Sequence, residues 1–202
     1  MILIQSKRKK PETILKQYPD AILADVTSTA KDDLRKLSPF YPHGGIPVPF
    51  SPGMTATCVE AIWQGLKVFE HADVDTSLFA NDTMHGLKRT VRRFGRPLGH
   101  RKGVHGTELL GYIEARKQIY IPTYQWMLEH KAATIINRLR EAGKTKTIIL
   151  LDYDTNADVE NAKKPLSHAS LIKAYVEGIY PYGDEHHDTD EPKKYQEGTL
   201  FE

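Results

Sequence analysis

With 202 residues, 40% of them hydrophobic and 27% charged, the chain is long enough to bury one core and short for two, so a single domain is expected. A formal net charge of +2 excludes the strongly basic balance of a protein that coats duplex nucleic acid, although local clusters still suit phosphates. Cys58 is the one cysteine, which excludes an intramolecular disulfide, and no apolar run approaches the roughly 20 residues that cross a bilayer.

The opening MILIQSKRKK places charge after a very short apolar stretch, unlike a secretory signal; a cytoplasmic protein without a membrane partner is the expectation. Residues 2–4 and 22–26 are short apolar runs that read as strands. Residues 37–53 carry five prolines and three glycines, which forbid a continuous helix and deprive a strand of ladder donors, so a shaped loop or sheet edge is expected. A helix follows over 57–70, capped by Thr55 or Thr57. Residues 82–96 predict a second helix ending near Gly95 and Pro97, with Lys88, Arg89, Arg92, Arg93 and Arg96 as a basic run that reads as a solvated face or a phosphate contact. A long helix is expected over 107–142, broken or kinked at Pro122 and stopped at Gly143. Residues 147–153 (TIILLDY) read as a buried strand, and 167–177 as a last helix ending at Gly178. The stretch 182–202 is polar and aperiodic and is expected to be a mobile tail outside the domain of 1–181. Together these elements predict an α+β domain, mostly helical, with a small β-sheet.

Projected at 100° per residue, the segment TCVEAIWQGLKVFE gathers Val59, Ile62, Trp63, Leu66 and Phe69 on one apolar side. Glu60, Gln64, Lys67 and His71 fall on a narrow polar stripe beside Trp63. Periodicity allows that stripe to be either a pocket lining or an exposed face with a modest Glu-to-Lys attraction.

The run Glu60-Ala61-Ile62-Trp63-Gln64-Gly65-Leu66-Lys67-Val68 resembles the signature helix of the NADAR superfamily, a glutamate followed by an aromatic, Gln, a small residue and Lys. Leu37-Ser38-Pro39-Phe40-Tyr41 resembles the family's Leu-Ser-Asn-Phe loop, and Phe94-Gly95-Arg96 its Leu-Gly-Arg element. Tyr112, Arg116 and Tyr120 stand where the family carries a tryptophan, a basic residue and a methionine, and 151–171 has the composition of its acidic loop and last helix. The likeness spans about 37–175. The family's usual histidine after the glutamate is Ala61 here, and its Asp-x-x-Trp-Gly loop has no Trp-Gly counterpart, which marks a divergent branch.

The resemblance implies a NADAR-like fold and N-glycosidase chemistry on a ribosylated base, with a nucleotide-like small molecule or an ADP-ribosylated base as partner and no cofactor or metal. Bond breaking at the anomeric carbon develops oxocarbenium character, so a buried carboxylate near the ribose is useful while an acid or base serves the leaving base and the water. Glu60 is the first candidate. Its acidic partner is expected from Asp152, Asp154 or Asp158 at the end of the strand, with Asp154 preferred. Arg96, with Lys67 or Arg93, is expected to hold a phosphate; Phe40, Tyr41 or Trp63 to stack on a base; and Gln64 to share the substrate-binding stripe. A non-catalytic ADP-ribose or NAD-binding module and a structural or interaction protein with an open polar stripe are the alternatives. Three other signals are set aside. Residues 152–158 space oxygens like a calcium loop but have Ala157 where glycine is needed; Ser167 before His168 reads as a helix cap, not a nucleophile; and His186 and His187 fall in the tail.

Overall fold

The first branched aliphatic run forms β1 (Ile2–Ser6), and Pro11 then opens α1 (Pro11–Gln17) in the first turn, where its missing N–H costs nothing. β2 (Ile22–Asp25) follows. β1 and β2 do not pair with each other; a gap is left between them. The computed structural model describes residues 1–181, and the expected tail 182–202, with His186 and His187, lies outside the described residues.

The proline-rich segment forms an edge, as expected: β3 (Ile46–Pro47) and β4 (Thr55–Ala56) make a two-stranded antiparallel ribbon that buries Ile46 and Ala56. Because Thr55 is in a strand and the Thr57 hydroxyl donates to the Asn81 carbonyl, neither caps the next helix. The Cys58 thiol takes that role, its Sγ accepting from Ala61 N at 3.3 Å. α2 (Val59–Gly65) is only seven residues long, and all seven are buried. It stops where β5 (Lys67–Phe69) begins, so Lys67 and His71 do not continue a helical stripe with Glu60 and Gln64. The carbonyls released at its end are taken by other segments: Gly65 O accepts from Asp75 N and Leu66 O from Arg101 N, both at 2.8 Å.

The predicted helix over 82–96 shrinks to the single turn α3 (Val91–Phe94), closed by Gly95 at φ 79°. Left-handed backbone at Met84 and Gly86 interrupts the segment, and Arg89 turns inward, its guanidinium donating to the carbonyls of Gln64, Lys67 and Asp73. The basic run is therefore not one solvated face. β6 (Pro97–Arg101) and β7 (Leu109–Leu110) complete an antiparallel sheet in the order β5-β6-β7.

The expected long helix is two. α4 (Tyr112–Ala115) runs through a π-type turn over Arg116–Tyr120 into α5 (Ile121–His130), with α-region backbone at each junction. Pro122 neither breaks nor ends it, since the widened turn just before relaxes the helix where an N–H is missing. The break comes at Lys131 and Ala132. α6 (Ala133–Thr145) then passes through Gly143 instead of stopping there.

β8 (Ile148–Asp152) enters the gap between β1 and β2 and pairs parallel with both, Leu150 standing opposite Ile4 on one side and Ala24 on the other. A parallel strand covered on both faces reads as an unbroken apolar run, which explains TIILLDY. α7 (His168–Glu177) ends the described chain, capped by Ser167 and closed by left-handed Gly178 as expected. α6 and α7 both pack on β8. The result is one α+β domain with three small sheets, and no helix among the described residues is long and apolar enough to cross a membrane.

Gly65 tests how α2 is held. A Cβ there would come within 2.4 Å of the Phe79 ring and 3.1 Å of Asp75 O, and Phe79 is itself buried. Gly65→Ala is expected to destabilise the fold by about 1–3 kcal/mol, read as a lower urea midpoint; an unchanged midpoint would show that this contact does not constrain α2.

Candidate active site

Three parallel strands end on the same side of the first sheet, and the residues that follow them line a cavity of about 530 Å³: Arg8 after β1, Thr27 and Ser28 after β2, and Asp152, Tyr153 and Asp154 at the end of β8. The carboxyl edge of parallel strands is where α/β sheets commonly bind ligands, since helices cover the faces and the chain diverges there. Opposite stand Glu60, Trp63 and Gln64 of α2, the Ser38-Pro39-Phe40 loop, and Tyr112, Arg116 and Tyr120 of the π-turn helix. The volume is in the range of small-molecule sites.

Glu60 is 7% exposed and held at both ends. Its backbone N–H donates to Pro39 O at 2.9 Å, which ties the Phe40 loop to α2. Its Oε1 accepts from Gln64 Nε2 at 2.9 Å, and the Gln64 amide is oriented in turn by Arg89 N, which donates to its Oε1 at 3.2 Å. Oε2 has no hydrogen-bond partner among the described residues. Burial pushes the Glu60 carboxyl above the usual glutamate range, opposed by the Gln64 hydrogen bond and by the positive charges of Lys67, Lys88 and His168. Burial therefore shifts this carboxyl toward its protonated form at the cavity wall.

Aromatic rings surround that carboxyl. Trp63 stacks on His100 with centroids 3.8 Å apart and meets Tyr120 edge-on at 5.5 Å. The Lys67 ammonium lies 5.7 Å from the Trp63 centroid, and the Lys88 ammonium 5.7 Å from that of Phe40, distances at which cation–π attraction acts.

A second buried network was not anticipated. Asp152, 4% exposed, accepts through Oδ2 from Ser167 Oγ at 2.7 Å and sits 3.0 Å from His168 Nδ1, while its Oδ1 accepts from Tyr153 N at 2.7 Å. His168 Nε2 meets Val26 O at 2.8 Å. Burial raises the Asp152 carboxyl, but the hydrogen bond and charge of His168 outweigh it and hold it below the usual range; burial likewise works against the imidazolium, and Asp152 outweighs it and holds His168 above the usual range. Ser167 does cap α7, as expected, accepting from Ser170 N at 3.4 Å, but its hydroxyl also serves Asp152. The signal that would have found the network is the polar end of a buried strand followed by Ser-His at a helix start.

Of the residues singled out from sequence, Phe40, Glu60, Trp63, Gln64, Asp152 and Asp154 meet at the cavity, together with Tyr112, Arg116 and Tyr120. Tyr41, Lys67, Arg96 and Asp158 are not among its lining. Tyr41 packs against His43; Lys67 approaches Trp63 from β5; Arg96 has a 76% exposed side chain and pairs with Glu70 at 3.3 Å; and Asp158 orders its own loop by accepting from Glu160 N. Arg93 stays at the surface beside Phe94. Glu60 and Gln64 are buried, so the alternative in which they form an open solvent face does not hold. Sequence reasoning missed Arg8, Thr27 and Ser28, set His168 aside as the neighbour of a helix cap, and assigned Lys88 only to a general basic run.

A family model, described as a family of unknown function (DUF6939), matches residues 6–172. The chain belongs to that family. The DUF6939 match runs past both Arg8 and His168, the first and last residues of the cavity lining, so the whole cavity falls within the family domain. No curated protein and no solved structure matches the chain.

The Asp152–His168 pair sets a pH window for stability. His168, raised above 6.5 in the fold, contributes stability that is full below its unfolded pKa and is lost as pH rises through the folded one; Asp152, depressed below 3.8, contributes stability above its unfolded pKa that is lost as pH falls through the folded one. Melting temperature is expected to be highest between these limits and to fall on the alkaline side as His168 deprotonates. His168→Leu is expected to remove that alkaline slope and cost about 3–5 kcal/mol by stranding Asp152; an NMR titration placing His168 below 6.5 in the folded wild type would contradict the assignment.

Proposed function

We propose that this protein hydrolyses the N-glycosidic bond between a base and a phosphorylated ribose or ADP-ribose, with Glu60 as the proton-transfer residue. The observation that carries this reading is a buried carboxyl with elevated pKa and an unpartnered oxygen, facing a cavity that also holds Asp154 and the rings of Phe40, Trp63, Tyr112 and Tyr120. The resemblance of the Glu60 helix to the NADAR superfamily supports the same chemistry. A cytoplasmic setting goes with this reading, in keeping with a buried, unpaired Cys58.

The roles follow from charge development. Protonated Glu60 donates to the leaving nitrogen as the C1′–N bond breaks, and the base departs neutral. Positive charge spreads over C1′ and the ring oxygen, and the Asp154 carboxylate stabilises it across the cavity. Water attacks C1′, a C1′–O bond forms, and its proton returns to Glu60, restoring the starting state. The aromatic walls hold the base and exclude bulk water, which strengthens each electrostatic contact inside.

A second reading is favoured by one specific feature, Ala61 in place of the NADAR histidine: a module that binds ADP-ribose or NAD without cleaving it. Both are separated by incubating the protein with ADP-ribosylated nucleobases and ribosylamino-pyrimidine phosphates and quantifying released base by chromatography. Turnover is expected, decreasing as pH rises through the elevated pKa of Glu60, and Glu60→Gln is expected to lower kcat by about 10²–10⁴-fold. Tight calorimetric binding without product would favour the binding module. Absence of turnover with every substrate, or a Glu60→Gln profile identical to wild type, would sink the hydrolase.

A further inference from the structure

Three cationic side chains line the cavity, Arg8, Lys88 and Arg116, and none makes an ion pair with a carboxylate among the described residues. The nearby carboxylates are engaged elsewhere. Asp152 is neutralised by His168, and Asp25, at the end of β2, is neutralised by Lys7 and further bonded by Thr27 N and its hydroxyl. Burial favours the uncharged form of Glu60, which leaves Asp154 as the cavity's remaining carboxylate. Positive charge is therefore in excess over the cavity as a whole, with Arg8 at the strand ends and Lys88 and Arg116 on the facing wall.

The three cations are not equivalent. Arg116 is fully buried, and its Nη atoms are committed to the carbonyls of Val159, Asn161 and Lys164 and to the Tyr112 hydroxyl; it supplies field but no free fork. Arg8 is exposed at the rim and donates only through Nη1, to Tyr153 O at 2.6 Å. Its guanidinium also lies 5.5 Å from the Tyr153 ring centroid, but Nη2 and Nε make no hydrogen bond among the described residues, and neither does the hydroxyl of Ser28, which follows β2 on the same edge. The N-terminus of α7 is not an alternative anion seat, because its first amides already serve Asp152 and the Ser167 cap.

We propose that Arg8 and Ser28, assisted by Lys88 on the Phe40 side, form a subsite for the phosphate of the ligand, a phosphate monoester or diphosphate carried on the ribose. The subsite deepens the Glu60 reading and rests on it for the sugar end: the Arg8 guanidinium and the Ser28 hydroxyl stand at the strand ends, and Glu60 and Trp63 stand at α2, so a ligand with an anionic end and a base end has one favourable orientation. A planar guanidinium with free N–H groups grips phosphate oxygens in a way that an ammonium does not. This location replaces Arg96, whose guanidinium is spent on Glu70 outside the cavity.

The test is calorimetric titration of the full chain with ribose 5-phosphate, pyrophosphate and unphosphorylated ribose. Ribose 5-phosphate and pyrophosphate are expected to bind, with ribose weaker than its phosphate by about ten- to hundredfold, as loss of charge-assisted hydrogen bonds predicts. Arg8→Ala is expected to erase most of that difference, Arg8→Lys to restore part of it, and Arg92→Ala, exposed and outside the cavity lining, to change neither. Equal affinity for ribose and ribose 5-phosphate, no effect of Arg8→Ala, or an equal loss in Arg92→Ala would overturn the subsite. Arg8-dependent binding of ribose 5-phosphate in a protein that releases no base from any substrate would retire the glycosidase and leave the subsite standing.

Discussion

The insertion of β8 between β1 and β2, and the buried Asp152–His168 pair at its end, is the constraint on which the rest of the molecule depends. β1 and β2 lie on either side of β8 and share its register, so neither has a neighbouring strand until residue 148 arrives. Once it does, the strand delivers Asp152 to the point where His168 bridges it to Val26 O of the neighbouring segment. One imidazole thereby joins β2, β8 and α7. Because these are the elements whose ends form one wall of the cavity, the geometry that would receive a ligand is set by a contact that need not touch the ligand.

The opposite wall follows a similar logic with weaker local encoding. α2 is too short to be stable from helix propensity, and it persists because every residue is buried and because the groups at its ends are bonded by distant segments: Cys58 caps it, Pro39 O receives Glu60 N, and Asp75 N takes Gly65 O. Arg89 ties its Gln64 amide and carbonyl to the turn beyond β5. A carboxyl placed in such a frame loses hydration without losing orientation. That combination raises a pKa while keeping the acid aimed.

Some of this was legible in the sequence, and the division is physical. TIILLDY announces a doubly covered strand because burial on both faces leaves no polar alternation, and α7 announces both its ends through Ser167 and Gly178 because caps are local chemistry. Glu60 stood out beside Trp63 at helical spacing. The pairing of β8 with strands 146 and 126 residues upstream, Ile148 standing opposite Ile2 and Ile22, left no local mark, and so Arg8, Thr27 and Ser28 gave no sign that they share an edge with Asp152. The helix expected over 82–96 failed for a related reason: Arg89 has ordinary helix propensity, but its guanidinium finds three carbonyls from 64–73 that no helix in that segment would let it reach. Lys67 and His71 left the Glu60 stripe because the chain turned into β5 once Gly65 met Phe79.

The electrostatics of the two walls are complementary in a way that bears on the order of events at the site. Lys88 and His168 both lower the pKa of Glu60 from across or beside the cavity, against the larger effect of burial. An anionic ligand seated among the cations would screen those positive charges, and its own charge would disfavour the ionised carboxylate. Both changes push Glu60 further toward its protonated form. Binding of a phosphorylated ligand would thus prepare the acid that the proposed reaction needs, and departure of the phosphate product would release that bias. Arg8 at the strand ends, Lys88 beside Phe40 and the buried acid at α2 then act as parts of one device, coupled through the field across the cavity.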